Sequence, residues 1–160
     1  MTRYPQEVES PLTVRRDTTA SRDQVWAVMA DGWTYSQWVV GNSRMRAVSR
    51  DWPNGGSTIH HSIGVWPLLV NDLTVVEECR PLELLVLLAK GRPLGKARIT
   101  LRLVDIDGGG CRIEMAEVPV GLPMGWVPNQ LALAAAFPRN RECTWRLAAI
   151  AERREPSDTG

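Results

Sequence analysis

Residues 96–118 read Lys-Ala-Arg-Ile-Thr-Leu-Arg-Leu-Val-Asp-Ile-Asp-Gly-Gly-Gly-Cys-Arg-Ile-Glu-Met-Ala-Glu-Val. Ala97, Ile99, Leu101 and Leu103 recur at every second place, with Lys96, Arg98, Thr100 and Arg102 between them. A period of two puts the first set on one face of a strand and the second on the other. Asp107-Gly108-Gly109-Gly110 is a hairpin connection, because glycine accepts the positive φ that tight turns require. The return strand, Cys111 to Val118, alternates again, with Ile113 and Met115 opposite Arg112 and Glu114. One face of this hairpin is apolar, which predicts an antiparallel sheet with one side turned to a core.

The same alternation continues upstream. Strands are predicted over 82–90, 71–79, 57–66 and 44–50, separated by Gly91-Arg92-Pro93, Arg80-Pro81, Pro67 and the turn Trp52-Pro53-Asn54-Gly55-Gly56. Before them the period changes to 3.6. Ser21 is placed to cap a helix by accepting from the Gln24 N–H, and Val25, Trp26, Val28 and Met29 form its apolar stripe. Asp31-Gly32 is expected to end it, glycine tolerating a left-handed stop. A short second helix is predicted over 35–39 and a first strand over 9–20. Downstream, 119–128 hold three Pro and two Gly and read as a loop. Residues 129–154 then turn helical, with Leu133, Phe137, Asn140, Thr144, Leu147 and Ala151 near one face. Pro138 inside that pattern is expected to kink or break the helix. The tail from Glu155 onward is polar.

Composition narrows the function. The chain has 160 residues, 19 Lys+Arg against 18 Asp+Glu, and 44% hydrophobic residues. That length fits one domain, 1–160, with a core over about 9–152. A net charge of +1 lacks the basic excess of a nucleic-acid binder. No apolar run is long enough to span a bilayer. The polar N-terminus does not resemble a signal peptide. Cys79, Cys111 and Cys143 are far apart and odd in number, so they read as free thiols in a cytoplasmic protein, not as a disulfide framework. No Cys/His pair has zinc spacing, and no phosphate loop or nucleophile elbow is present. No metal or cofactor is expected, and the assembly is expected to be a monomer or homodimer.

The order is strand, two short helices, about six strands and a long C-terminal helix. It predicts an α+β fold in which a curved antiparallel sheet of about seven strands and that helix enclose a cavity. The chain resembles the SRPBCC superfamily, the START-like or helix-grip fold shared with birch-pollen-type allergens, and is most similar to its polyketide cyclase/dehydrase-like branch. The resemblance rests on Thr19-Ala20-Ser21-Arg22-Asp23-Gln24-Val25-Trp26, like the family's small-residue turn and "VW" helix. It continues in the "Y-x-x-W" of Tyr35 to Trp38, Gly55-Gly56-Ser57, the Gly108–Gly110 hairpin feeding a strand that ends in Glu117, and the late helix with Arg139-Asn140 and Leu147. It spans roughly residues 9–152. Binders, carriers, cyclases and regulators all share this fold.

Within such a cavity Glu117 is the most informative charge. It shares parity with Ile113 and Met115, and a carboxylate on an apolar face needs a partner. If the strand instead ends or bulges near Pro119, the carboxylate reaches solvent or an Arg. His60 and His61 face opposite sides of one strand; His61 joins Ile59, Ile63 and Val65 on the more apolar face. It is a candidate proton carrier, or a hydrogen-bonded wall residue. Trp38, Trp66 and Trp126 are candidate rim aromatics, and Trp33 clusters with Trp38. Ile59, Leu101, Met115 and Phe137 are candidate apolar walls. Trp52 falls in a turn, where exposure is expected. Asp72 and Glu78 read as a solvated acidic face.

Three functions fit: binding of a small hydrophobic or aromatic molecule; a polyketide cyclase or dehydratase using Glu117, His61 and an Arg such as Arg92 or Arg98; or a regulatory protein whose cavity is filled core. Alternation sends Arg98 outward and disfavours it. Binding, which needs only the cavity, ranks first.

Overall fold

The computed structural model describes residues 12–90, 95–120 and 129–155, and within the last stretch the side chains from 134 onward. The elements are β1 (Val14–Thr18), α1 (Arg22–Ala30), a 3-10 turn (Gly32–Thr34), α2 (Tyr35–Trp38), β2 (Asn42–Val48), β3 (Thr58–Val65), β4 (Leu68–Arg80), β5 (Leu84–Ala89), β6 (Lys96–Asp105), β7 (Cys111–Val120) and α3 (Asn129–Glu152). The seven strands form one antiparallel sheet in the order β1-β7-β6-β5-β4-β3-β2. This is the α+β arrangement expected from the alternation. Candidate Trp126 and Arg92 lie outside the described residues.

The β6–β7 hairpin has the predicted faces. Ile99, Leu101, Leu103, Cys111, Ile113 and Met115 are all buried. Arg98 points out and pairs with Glu77, as parity requires. The ladder does not stop at Glu117: Pro119 pairs with Ala97 and Lys96 with Val120. The bulge allowed for by Pro119 is therefore absent, and Glu117 stays on the inward face.

The helices fill one side of the sheet. Ser21 caps α1 as expected, its Oγ accepting from Gln24 N–H at 3.2 Å while Gln24 Oε1 accepts from Ser21 N–H at 2.8 Å. Helix α3 packs on β7 and β1 and on both shorter helices. Asn140, Thr144, Leu147 and Ala151 are buried along the predicted stripe, joined by Cys143 and Ala148. The helix runs through Pro138 without interruption; Pro138 lies on the exposed side.

Four expectations are corrected. Gly32 is not a left-handed stop, since its φ is not positive. It is small for steric reasons: a Cβ there would fall 2.5 Å from Val48 Cγ1 and 3.1 Å from the Trp52 ring. Trp52 is buried, not exposed, and its Nε1 donates to Met29 O at 3.1 Å. Strand β4 starts at Leu68 rather than 71, because the two-residue turn Trp66-Pro67 carries the β3 ladder straight back. Asp72 is buried while Glu78 is exposed. A bulge between Val76 and Glu78 breaks the parity that joined them.

The capping box makes the first prediction. Ser21→Ala removes one cap and leaves one helix N–H unsatisfied, so urea unfolding should show a loss of about 1 kcal/mol. An unchanged midpoint would mean that the box contributes nothing to stability.

Candidate functional site

A cavity of about 340 Å³ lies between the sheet and α3, within the range that holds small ligands. Its walls come from α2 and the turn after it (Tyr35, Val39, Val40, Gly41), β2–β4 (Asn42, His61, Ile63, Asp72), β5–β6 (Ala89, Gly95, Lys96, Ala97, Ile99), β7 (Glu117, Pro119) and α3 (Ala136, Arg139). Most of these surfaces are apolar, and polar groups converge at two places.

The first is a buried cluster around His61. The His61 and Asp72 backbones are cross-strand partners, so both side chains point to the same face. Thr74, two residues on, shares that face and is fully buried. His61 Nε2 lies 2.9 Å from Thr74 Oγ1 and 4.0 Å from Asp72 Oδ2. Thr74 Oγ1 also lies 3.4 Å from the Tyr35 hydroxyl. The Tyr35 ring stands edge-on to Trp38 and tilted against the His61 ring. Burial, and then the positive charge of Arg46, push the His61 pKa down to about 4. The imidazole is therefore neutral at pH 7. Burial likewise raises the Tyr35 hydroxyl to about 12, so it stays protonated. Thr74 Oγ1 occupies Nε2, which leaves Nδ1 as the second hydrogen-bonding position of the ring. Nδ1 is buried and has no hydrogen-bond partner among the described residues.

The second is the ion pair of Arg139 Nη2 with Glu117 Oε2. Glu117 is 13% exposed and Arg139 34%. Burial alone would lower the Arg139 pKa; the charge of Glu117 and the hydrogen bond to it outweigh that and raise it. This pair answers the question posed by a carboxylate on an apolar face. Glu117 is engaged by Arg139 and His61 by Thr74. Three strands separate β3 from β7 in the sheet, a path of roughly 19 Å along its surface.

Of the residues singled out by sequence, His61 and Glu117 line the cavity. Ile59, Leu101, Met115 and Trp38 are buried core residues that do not. Phe137 is half-buried and Trp66 is 81% exposed at a hairpin tip; neither touches the cavity. Trp33 and Trp145 are also exposed. The sequence reading missed Arg139, Asp72, Tyr35 and Thr74. Parity held the signal for two of them, because residues 72, 74 and 76 alternate on the face opposite 73 and 75. Nothing in the sequence singled out Arg139 among its neighbours on α3 as the partner of Glu117.

No family model matches the chain, and no curated protein matches it. Solved structures do. The Zhui aromatase/cyclase of Streptomyces sp. R1128 superposes with a TM-score of 0.66 at 14% identity, covering 92% of this chain and 96% of that one. Ara h 8.0201 gives 0.66 at 9% identity, over 89% and 97%. A protein of unknown function from Staphylococcus aureus gives 0.66 at 9% identity, over 88% and 91%.

The buried His61 predicts a pH dependence. Its folded pKa, about 4, lies below the ordinary 6.5. Between those values the unfolded chain binds more protons, so stability should fall as pH drops from 6.5 toward 4. The expected loss is on the order of 3 kcal/mol, measured by urea unfolding across that range. His61→Gln should flatten the slope, and an equally steep slope in the variant would assign the effect elsewhere. In shape and connectivity the chain has the helix-grip fold, as its motifs implied.

Proposed function

We propose that the protein binds a small, largely apolar molecule carrying a hydroxyl group in the cavity between the sheet and α3. The observation that carries this is a mostly apolar cavity of about 340 Å³ with the neutral His61 in its wall, whose buried Nδ1 has no hydrogen-bond partner among the described residues. A buried polar atom left unsatisfied is unfavourable. A ligand O–H donating to Nδ1 would remove that penalty. Ile99, Ala97, Val39 and Ile63 would cover the apolar body of the ligand.

A second reading is an enzyme of polyketide cyclase or dehydratase type. One observation favours it: an Arg–carboxylate pair and a neutral imidazole share a single cavity. Arg139 would polarise a carbonyl, and Glu117 or His61 would move a proton. The aromatase/cyclase among the fold neighbours gives this reading a precedent for the fold, not for the chemistry.

Two experiments separate these readings. Titration of the fluorescent probe N-phenyl-1-naphthylamine should saturate with the native protein. Ala136→Trp, which fills the cavity from α3, should weaken binding at least tenfold, roughly the effect of filling an apolar site; undiminished binding would place the probe elsewhere. For 2-naphthol against naphthalene, His61→Leu should erase a preference of roughly fivefold, the worth of one hydrogen bond. Glu117→Gln should leave this affinity within about twofold if the protein is a binder, since a neutral amide keeps the shape of the wall. Loss of turnover on a poly-carbonyl substrate in Glu117→Gln would instead establish the enzyme.

A further inference from the structure

The β3–β4 hairpin extends beyond the rest of the sheet among the described residues. Strand β2 accompanies β3 as far as Asn42 opposite Ile63, where Gly64 N–H still donates to Gly41 O at 3.1 Å. Strand β5 accompanies β4 only from Thr74, with Lys90 N–H donating to Leu73 O at 3.0 Å. Beyond these points, among the described residues, the hairpin is a two-stranded ribbon, pairing Val65 with Leu68 and Gly64 with Leu69 across the Trp66-Pro67 turn.

Its side chains are unlike an ordinary surface. Val65, Trp66 and Leu68 are each about 80% exposed, and Leu69 and Val70 about 40%. Both faces of the ribbon are therefore apolar, and Ser62 to Asn71 include no charged residue. A bare two-stranded ribbon is marginal in water, and exposed apolar patches of this kind mark interaction sites. Residues Leu68–Asn71 also have no strand beside their outer edge among the described residues. Alternate residues there direct N–H and C=O groups outward, which is a template for another strand.

We infer that this ribbon pairs with the same ribbon of a second copy, β4 against β4 about a two-fold axis. Three features select that occupant. A two-fold contact brings each residue against its own patch, and a run without charges suffers no like-charge repulsion there. Antiparallel pairing of two open edges satisfies the main-chain groups and the side chains together, whereas a bilayer would cover the side chains and leave the edge unsatisfied. The apolar surface is on the order of 600 Å² per protomer, compared with about 800 Å² in a standard interface. That area fits a weak, reversible dimer. The inference stands independently of what the cavity binds.

Sedimentation velocity of the full chain from about 1 μM to about 1 mM tests it, a range that brackets weak association. A reversible monomer–dimer equilibrium is expected. Trp66→Ser combined with Leu68→Lys should weaken it at least tenfold with an unchanged circular dichroism spectrum; Leu69→Glu serves as a second variant should the first fail to fold. Amide exchange at Leu68–Asn71 should slow as concentration rises in the native protein and not in the variants. A monomer throughout, a dimer that the variants leave intact, or a dimer without that protection would overturn the inference. So would a monomer that binds phosphatidylcholine vesicles through Trp66 and Leu68, which would assign the tip to a membrane.

Discussion

A helix about 10 Å across cannot cover the concave face of a seven-stranded sheet, which is roughly 30 Å wide. The cavity follows from how that mismatch is resolved. Helix α3 lies toward the β1–β7 side. The remaining face is shared among α1, α2 and the side chains of β3 to β6. Near the C-terminal half of α3 the fit is close, with Cys143, Leu147, Ala148 and Ala151 buried against the sheet. Near its N-terminal half the inward positions include Ala136 and Arg139. A small residue and a charge bound to Glu117 do not fill the space there, and the cavity is what is left.

The polar groups in that cavity are held in defined states by their surroundings. His61 is kept neutral by burial and by Arg46, and Thr74 fixes its ring through Nε2. Tyr35 is kept protonated by burial. Arg139 and Glu117 neutralise one another without leaving the wall. The cavity thus has a neutral imidazole beside the buried Asp72 on the β3 side and a compensated ion pair on the β7 side. Burial sets the state of the imidazole, which in water would behave as an ordinary side chain.

Much of the fold was legible because strand parity is a local property. The alternation from 96 to 118 alone placed Glu117 inward and Arg98 outward, and both positions hold. The Ser21 cap, the α3 stripe through Asn140 and Leu147, and the seven-strand sheet were readable for the same reason. The site was less legible because it is made by contacts distant in sequence. Arg139 meets Glu117 across 22 positions, and Asp72 meets His61 only through the β3–β4 register. A single bulge at 77 was enough to misassign Asp72 by coupling it to Glu78. The tryptophans were the least predictable. Trp52 is buried because Gly32 lets it approach α1, a steric detail no period encodes. Trp66 is exposed because the tight Trp66-Pro67 turn carries the hairpin beyond its neighbouring strands.

The central claim is that His61 Nδ1 is a neutral acceptor awaiting a ligand hydroxyl. The side-chain nitrogen shifts of His61, followed by NMR while 2-naphthol is titrated into the protein at pH 7, test it most directly. The account predicts a saturable change at Nδ1, with Nε2 still protonated and the ring uncharged. An unperturbed His61 in a folded protein saturated with the ligand, or an imidazolium at pH 7, would contradict it.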